Sequence, residues 1–293
     1  MARVSVVIPC YNRGEYIAAT VDSVLAQTFS DLELICVDDG STDETRAVLE
    51  GYGARITLLE HEGGVNKGQS ASINLGLAHA RGELIAILDS DDLWHAEKLS
   101  EQVAFLDANP EIGLVYANGE AVDASERHLY DIYKAGHTPP TSPSELLLDC
   151  SIALPSNSLV RANMYAAAGD FREDLRAAQD HDMLVRLTEH SKVGYINRRL
   201  WKYRRHGDSI SHKNADKRWR IGFQILDAAA QRYPYTNSVI RRRKAVLYFR
   251  LAQCHSERGE YVRAAISVLR SGLLDPSRAL GVLLRRERVS SPH

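Results

Sequence analysis

The stretch that decides the fold is Leu84-Ile85-Ala86-Ile87-Leu88-Asp89-Ser90-Asp91-Asp92. Its five apolar residues predict a buried β-strand, and three carboxylates within four positions close that strand. Like charges repel unless a cation lies between them, and Mg²⁺ and Mn²⁺ favour carboxylate oxygens together with substrate phosphates. Asp89, Asp91 and Asp92 are therefore predicted to bind a divalent cation and a diphosphate. The alternative for Asp92 is a cap on a helix that begins near Trp94.

Similar short apolar runs recur on both sides of this strand. They predict further buried strands at residues 4–8, 32–37, 56–59 and 114–116. Apolar residues at helical spacing predict a helix over 15–27, and residues 41–44 have the composition of a capped helix start. This alternation indicates the α/β class with a parallel, doubly wound sheet, in which ligands bind beyond the carboxyl ends of the strands.

Polar residues follow the first two strands, where such a ligand would bind. The first strand leads into Pro9, Tyr11 and Asn12, and the second leads into Asp39. Asp39 could accept an N–H group of a nucleobase, and Tyr11 could present its ring face to the same base. A strand-to-helix turn that uses Asp, Gly and Ser for caps is the competing interpretation of 38–41.

The segment Asn66-Lys67-Gly68 precedes a predicted helix that continues to residue 80. Free backbone N–H groups and a lysine at a helix start favour an approaching phosphate. An ordinary helix N-terminus with a solvated Lys67 is the alternative.

Asp180 stands at the start of another predicted helix, in Gln179-Asp180-His181-Asp182. At that position it can project into a cleft as a general base, with Asp182 as an orienting or capping partner. From these residues alone, helix capping is the stronger interpretation.

The segment Tyr203-Arg204-Arg205-His206 follows a short predicted strand. Arg204 and Arg205 could neutralise a departing nucleoside diphosphate, and His206 could be a neutral metal ligand. A basic surface turn is the alternative. Trp94 and Trp201 are predicted to be packing residues.

Composition and charge limit the class of protein. The sequence is 44% hydrophobic and 25% charged, and its four cysteines are far apart without C-x-x-C spacing, which predicts a reducing, cytoplasmic setting. No secretory signal and no run of about 20 apolar residues is recognised, so the chain is predicted to be soluble or peripherally attached at the inner face of a membrane.

The charge is unevenly distributed along the chain. Residues 1–199 hold 16 basic and 31 acidic side chains, whereas 200–293 hold 20 basic and 7 acidic ones. The basic C-terminal part is predicted to contact anionic lipid headgroups, a phosphorylated acceptor or its own acidic domain. No nucleic-acid partner is predicted.

The C-terminal part differs in pattern from the rest. Residues 119–155 are irregular, and the Pro-rich stretch 138–143 predicts a loop on the acceptor side. After residue 203 the pattern is helical, and 251–276 has the spacing of one tetratricopeptide-type hairpin, which would suit a helical extension or a homodimer contact. The predicted domains are 1–211, which contains the candidate site residues, and 212–293, a basic helical extension.

Four motifs in order carry a family resemblance. They are Val4-Ser5-Val6-Val7-Ile8-Pro9-Cys10-Tyr11-Asn12, Val37-Asp38-Asp39-Gly40-Ser41-Thr42-Asp43, Leu88-Asp89-Ser90-Asp91-Asp92 and Gln179-Asp180. Together they resemble the family 2 glycosyltransferases of GT-A fold, over residues 3 to 211. The resemblance implies a Rossmann-like mixed sheet flanked by helices. The chain departs from the family pattern at Ile73, where many members have arginine, and at Gln179, where glutamate is common.

The resemblance also implies roles for individual residues. Tyr11 and Asp39 would hold the nucleobase, Asp89 and Asp91 would form the D-x-D element, and Asp180 would be the catalytic base. With the residues considered above, the predicted nucleotide-sugar site comprises Pro9, Tyr11, Asn12, Asp39, Asn66, Lys67, Gly68, Asp89, Ser90, Asp91, Arg204 and Arg205. The predicted ligands of Mg²⁺ or Mn²⁺ are Asp89, Asp91, Asp92 and His206.

The predicted function is that of an inverting, metal-dependent glycosyltransferase. A sugar would move from a nucleotide-sugar, by the resemblance a UDP-sugar, to a hydroxyl of a glycan or lipid-linked acceptor in glycan, glycolipid or cell-surface polysaccharide synthesis. dTDP- and GDP-sugars remain open as donors. Two other classes also stay open: a sugar nucleotidyltransferase, and a catalytically inactive scaffold that binds partners through its helical tail.

Overall fold

The computed structural model describes residues 2–206 and 215–278. The chain divides into two units, Met1–Pro143 with Ser151–Asp208 and Ser144–Cys150 with Ser209–His293. The first unit is built around a mixed β-sheet, and the described part of the second unit is helical. No helix in the described ranges is long and apolar enough to cross a membrane.

The sheet of the first unit contains nine strands in the described residues. They are β1 (Val4–Cys10), β2 (Leu32–Asp38), β3 (Thr57–Glu60), β4 (Leu84–Ile87), β5 (Leu93–Trp94), β6 (Ile112–Val122), β7 (His128–Asp131), β8 (Ser158–Arg161) and β9 (Lys192–Arg204). The helices are α1 (Ile17–Leu25), α2 (Thr45–Glu50), α3 (Gln69–His79), α4 (Lys98–Ala108), α5 (Pro143–Leu148), α6 (Ala162–Ala168), α7 (Gln179–His190), α8 (Ala215–Arg232), α9 (Asn237–Glu257) and α10 (Tyr261–Leu274).

The strand order is β3-β2-β1-β4-β8-β6-β9-β5, and β7 pairs with β6. Strand β1 runs parallel to β2 and β4, whereas β8 runs antiparallel to both of its neighbours, β4 and β6. The predicted α/β class is confirmed. The sheet is mixed rather than wholly parallel, as the family resemblance implies, because β8 returns between two strands that run the other way.

Strand β1 lies at the centre of the core, which explains why apolar residues dominate its sequence. All seven of its residues are buried, as expected for a parallel strand covered on both faces. Val4, Val6 and Ile8 belong to the main apolar cluster, whereas Val7 points to the opposite face of the sheet. There α3 approaches so closely that a Cβ atom at Gly76 would overlap Cγ1 of Val7. The glycine thus sets the distance between α3 and the sheet.

The alternative interpretation of Asp92, a cap on a helix near Trp94, is wrong. Leu93 and Trp94 form the short strand β5, which pairs with Lys202 and Trp201 of β9, and the next helix begins only at Lys98. The indole of Trp94 is buried and donates to the carbonyl of Ser156 at 2.7 Å. Trp94 and Trp201 are packing residues, as predicted.

Residues 119–155 are more regular than predicted. Strand β6 continues to Val122, and β7 returns beside it as an antiparallel hairpin arm. The loop predicted at 138–143 ends where Pro143 opens α5, since proline is well tolerated in a first helical turn. The hairpin was missed because Asn118 and Gly119 interrupt the apolar run of β6. In the fold, the Trp201 indole occupies the space that a side chain at position 119 would need.

The second unit confirms the predicted helical C-terminal region. Helices α9 and α10 form a hairpin whose turn contains Gly259 in the left-handed region at φ 74°. The Ser271 hydroxyl donates to the carbonyl of Ala245 at 2.8 Å, and the Arg258 guanidinium pairs with Asp216 of α8 at 2.6 Å. These contacts fix α9 and the turn that follows it against both neighbouring helices.

Candidate active site

The carboxylates that follow β4 (Asp89, Asp91 and Asp92, the acidic triplet) are held in a rigid turn. The hydroxyl of Thr20 in α1 lies within hydrogen-bond distance of the carbonyl oxygens of Ser90, at 3.1 Å, and Asp92, at 2.9 Å. Asp92 is buried, and its Oδ1 accepts from the backbone N–H of Arg204 at 3.1 Å. The end of β4 is therefore tied to α1 and to the end of β9.

Asp89 has a perturbed carboxyl group. Burial raises its pKa well above the usual range, and repulsion from Asp92, Asp180 and Asp91 raises it further. Its backbone N–H donates to the Ser156 hydroxyl at 3.1 Å. Burial, together with repulsion from Asp91, also raises the pKa of Asp92. The triplet is thus a concentration of negative charge that favours a cation.

Asp91 already has two basic neighbours. Its Oδ2 accepts from Nε of Arg13 at 3.1 Å and lies 3.1 Å from Nε2 of His206. The His206 ring stacks on Tyr16, with 4.7 Å between ring centroids. Of the predicted metal ligands, Asp91 and His206 are brought into direct contact. Arg13 was missed by the sequence analysis, although its position just after Asn12 at the end of β1 was a usable signal.

The fit to a divalent cation rests on the chemistry of these donors. Carboxylate oxygens that repel one another, with a histidine nitrogen beside them, suit Mg²⁺ or Mn²⁺. Within 2–206 and 215–278, however, no group of three or more His, Cys, Asp or Glu side chains converges as a ready-made metal site. The residue types fit the ion, while the four predicted ligands are not gathered into one coordination shell.

Asp39 organises the loop in front of α3. Its buried carboxylate accepts from the backbone N–H groups of Lys67 at 2.7 Å and Gly68 at 2.9 Å. Nε2 of His61 lies 3.4 Å from the same carboxylate. The N–H groups of 67–68 that were predicted to receive phosphate thus point to Asp39, and Gly68, at φ 96°, adopts a conformation that glycine favours. Asn66 lies exposed at the start of this loop.

Tyr11 and Asn12 lie at the end of β1, beside the end of β2. Tyr11 is 44% exposed, so its ring face is accessible to a planar ligand. Asn12 has φ 50°, its Oδ1 accepts from the N–H of Thr42 at 2.8 Å, and its own N–H donates to Ser41 at 3.1 Å. Asn12 therefore joins the two strand ends, while Pro9 lies within β1 and is buried.

Asp180 lies in the first turn of α7, next to the acidic triplet. Nε2 of the preceding Gln179 donates to Oε1 of Gln69 at 2.7 Å, and Nε2 of Gln69 donates to Oδ1 of Asp89 at 2.8 Å. The Asp180 charge contributes to the raised pKa values of both Asp89 and Tyr165. The structure thus brings the predicted base and the D-x-D element into one site, through two glutamines.

Asp182 is turned away from this site and anchors α7. Its buried carboxylate pairs with Arg186 at 2.8 Å, and Nη1 of Arg186 donates to the carbonyl of Ala168 at 2.6 Å. Truncating one member of a buried pair is strongly destabilising, since it leaves the other charge unpaired. Asp182 therefore positions the helix that carries Asp180.

Arg204 and Arg205 differ in their surroundings. Arg204 is buried, with its guanidinium 5.1 Å from the Tyr16 ring centroid and Nη2 3.8 Å from Oε1 of Glu126. No described residue accepts a hydrogen bond from its Nε. Arg205 is exposed, and its backbone N–H donates to the carbonyl of Val122 at 2.8 Å. Arg204 is thus a desolvated cation with an available donor beside the triplet.

Comparison with known proteins identifies the family. The family model described as "Glycosyl transferase family 2" matches residues 5–166, more than half of the chain. The chain belongs to glycosyltransferase family 2. The matched region contains the acidic triplet and the ends of β1 and β2, which are the strand ends described above.

Relatives of this family 2 chain support the assignment. It is 30% identical over 212 residues to the uncharacterized glycosyltransferase RT0329 of Rickettsia typhi, covering 69% of this chain and 64% of that protein. It is also 42% identical over 121 residues to the Escherichia coli UDP-Glc:alpha-D-GlcNAc-diphosphoundecaprenol beta-1,3-glucosyltransferase WfgD. That alignment covers 41% of this chain and 47% of WfgD. The chain spans 31% to 64% of the length of its Rickettsia bellii and Rickettsia typhi relatives.

Solved structures show the same GT-A fold. S. aureus TarS 1-349 in complex with UDP-GlcNAc has a TM-score of 0.67 at 18% identity, covering 92% of this chain and 81% of that chain. Mannosyltransferase PcManGT from Pyrobaculum calidifontis, in complex with GDP-Man and Mn2+, has a TM-score of 0.62 at 19% identity. The match covers 97% of this chain and 79% of the PcManGT chain.

Proposed function

We propose that this glycosyltransferase transfers a sugar from a nucleotide-sugar to a hydroxyl acceptor with inversion at the anomeric carbon. The observation that carries the proposal is the hydrogen-bonded chain Gln179–Gln69–Asp89, which holds the start of α7 against the end of β4. It places Asp180 beside the carboxylate that the family resemblance assigns to the donor diphosphate. The base and the leaving-group site would thus be neighbours.

Asp180 would act as the general base. Its carboxylate takes the proton of the acceptor hydroxyl while that oxygen bonds to the anomeric carbon, and the bond from that carbon to the diphosphate oxygen breaks. A single displacement inverts the anomeric configuration and needs no covalent sugar–enzyme intermediate. The Asp182–Arg186 pair keeps α7 fixed, which favours the aligned geometry that such a displacement requires.

The leaving diphosphate would be stabilised by cationic groups at the triplet. Arg204 offers its buried Nε, and Arg13 stands at Asp91 with a guanidinium suited to phosphate oxygens. Asp89, Asp91, Asp92 and His206 would hold Mg²⁺ or Mn²⁺, which when bound supplies positive charge at the departing diphosphate. The Mn²⁺ in the PcManGT complex supports this choice of ion.

A UDP-sugar is the donor that the comparisons support best. WfgD is named for UDP-Glc, and TarS was solved with UDP-GlcNAc, whereas PcManGT was solved with GDP-Man. We propose that Tyr11 covers the base with its exposed ring, while Asp39 holds the adjoining 66–68 loop. The diphosphoundecaprenol in the WfgD name supports a lipid-linked glycan as acceptor.

The site of the reaction would be the cytoplasm or the inner face of a membrane. All four cysteines lie in the described ranges and none forms a disulfide, and Cys10, Cys36 and Cys254 are buried. Thiols of this kind suit a reducing compartment.

Nucleoside diphosphate release tests this proposal directly. The protein is incubated with UDP-, dTDP- and GDP-sugars, each with Mn²⁺, Mg²⁺ or EDTA, and donor binding is recorded on the same samples. The expected result is binding and slow release from one nucleotide class, abolished by EDTA. Pyrophosphate release from a nucleoside triphosphate and a sugar phosphate would instead indicate a nucleotidyltransferase, and no binding of any donor would contradict the proposal.

A further inference from the structure

Helix α10 presents an apolar surface that nothing in residues 215–278 covers. Val262, Ile266, Leu269 and Leu273 recur at spacings of four, three and four residues and form one stripe along the helix, named here the apolar stripe. Val262 is 76% exposed, Leu269 67% and Leu273 81%. Contiguous exposed apolar surface of this kind marks a site of interaction with a protein or a membrane.

The opposite side of α10 accounts for its packing. Ala264 and Ser267 are buried, and the Ser271 hydroxyl donates to the carbonyl of Ala245 in α9 at 2.8 Å. The helix is therefore fixed in the second unit by small residues. The large apolar side chains of the stripe contribute little to that packing and are available for a partner outside the described chain.

Basic residues beside the apolar stripe indicate which kind of partner it binds. Arg263 and Arg270 are exposed at neighbouring angles on one flank of the stripe. The helix itself contains no acidic residue, and Glu260, directly before it, pairs with Arg263 at 3.1 Å. The Arg270 guanidinium lies 5.5 Å from the Tyr248 ring centroid, which holds it at the edge of the helix. Residues 215–278 contain thirteen basic and five acidic side chains. The surface is therefore apolar with a cationic margin.

We propose that α10 docks on an anionic lipid bilayer, with the apolar stripe in the acyl boundary and Arg263 and Arg270 at the headgroups. An amphipathic helix with basic residues beside its apolar face is the form that binds membrane interfaces. A second copy of the chain fits less well, because two paired α10 helices would bring four arginines together, and the carboxylate directly before the helix, Glu260, already contacts Arg263 and His255. This inference goes beyond sugar transfer and does not depend on it.

Vesicle co-sedimentation of the full chain tests the proposal without any donor or acceptor. Wild type is expected to sediment with vesicles of phosphatidylcholine and phosphatidylglycerol and to stay in solution with phosphatidylcholine alone. Leu269→Glu with Leu273→Glu should lower the affinity by about 10-fold or more, since two exposed leucines lose their burial in lipid. Arg263→Gln with Arg270→Gln should lower it by roughly 5-fold per arginine and weaken its salt dependence.

Matched controls separate the stripe from general changes in charge. Leu129→Glu changes an exposed leucine in β7, and Arg127→Gln changes an exposed arginine in the same hairpin; both should bind like wild type. Unchanged melting temperatures would show that all variants fold. The proposal is overturned if wild type ignores anionic vesicles or if the double glutamate variant binds them normally.

Sedimentation equilibrium distinguishes the other occupants of the stripe. A wild-type dimer that the double glutamate variant converts to a monomer, with vesicle binding unchanged, would assign the stripe to a second copy. Absence of vesicle binding together with a lowered melting temperature of that variant would show that the chain itself covers the stripe. Either result contradicts membrane docking by α10.

Discussion

Single amide side chains connect the charged groups of the candidate site. Gln69 accepts from Gln179 and donates to Asp89, so one residue contacts both the helix of the proposed base and the acidic triplet. A hydrogen bond to a charged group contributes about 1.5–3 kcal/mol, which is enough to decide where a buried carboxylate points. Gln69 is therefore a positioning residue for the reaction proposed above.

Replacing Gln69 by leucine should slow transfer more than it weakens donor binding. Asp89 loses a donor and α7 loses its tie to the triplet, so we expect kcat to fall by about 10- to 100-fold. Gln231→Leu, an exposed position on α8, is the matched control. Steady-state release of nucleoside diphosphate, measured with the true acceptor, separates kcat from KM. A Gln69→Leu enzyme with wild-type kcat would exclude a positioning role for Gln69.

The sequence predicted the single residues of the site better than their contacts. Asp89 and Asp91 were recognisable because they directly follow an apolar strand, whereas Asp180 was singled out by the family resemblance, since its position at a helix start favours capping. Gln69 and Gln179 are hydrogen-bonded although they lie 110 positions apart in the sequence. Asp92 accepts a hydrogen bond from Arg204, which lies 112 positions further along the chain. No local pattern encodes such pairs, since they arise only once β4, β9 and α7 are packed in the fold.

At the scale of elements, α4 carries a lysine inside the core. Lys98 is fully buried, and its Nζ donates to Oε1 of Gln102 at 2.8 Å and to the carbonyl of Ser158 at 3.2 Å, 3.9 Å from the Trp94 ring centroid. Burial lowers the pKa of Lys98 well below its usual range. The first turn of α4 is thereby joined to β8, which borders β4.

This lysine should make stability depend on pH. Between its lowered folded-state pKa and the ordinary value of 10.5, the folded chain binds fewer protons than the unfolded chain, so the free energy of unfolding rises with pH. Lys98→Met lacks this contribution. The free energy of unfolding of the variant minus that of wild type should therefore decrease as the pH approaches 10.5.

Urea denaturation of both proteins from about pH 7 to about pH 10 checks this expectation. Lys217→Met, at an exposed position in α8, is the control and should keep a constant difference from wild type. A pH-independent difference between Lys98→Met and wild type would show that Lys98 is not desolvated.

Element type was predictable where apolar runs are long, and failed where pairing partners are distant. Strands β1, β2 and β4 and helices α3 and α7 follow from their own patterns. Strand β5 has two residues and exists through its pairing with β9, while three of the four residues of β7 are exposed. Neither has an apolar pattern of its own, so both were missed.

At the scale of the whole molecule, the helical unit includes more than the C-terminal helices. Residues Ser144–Cys150 belong to it, and within this segment Leu146 and Leu147 are fully buried. Nη1 of Arg243 donates to the carbonyl of Leu148 at 2.7 Å, which ties α5 to α9. The domain boundary predicted after residue 211 lies outside the described residues and stays a prediction, but a cut there would separate α5 from the helices of its own unit.

A fragment of residues 1–211 should therefore be less stable than the full chain. Each leucine that loses its burial costs about 1.5–3 kcal/mol, and we expect the fragment to bind a hydrophobic dye and to melt at a lower temperature. Leu146→Ser with Leu147→Ser in the same fragment should reduce dye binding, whereas Leu129→Ser should not. Identical melting curves for fragment and full chain would contradict this description of the second unit.

The central claim is that Asp91 serves donor binding and Asp180 serves catalysis as the base. Donor binding and turnover, measured together on the same variants, test it most directly. Asp180→Asn should keep donor binding and lose about 10²- to 10⁴-fold in transfer rate, the contribution of a general base. Asp91→Ala should lose donor binding, and Asp227→Asn, exposed on α8, should match wild type in both. Retention of full transfer by Asp180→Asn, or of donor binding by Asp91→Ala, would contradict the account.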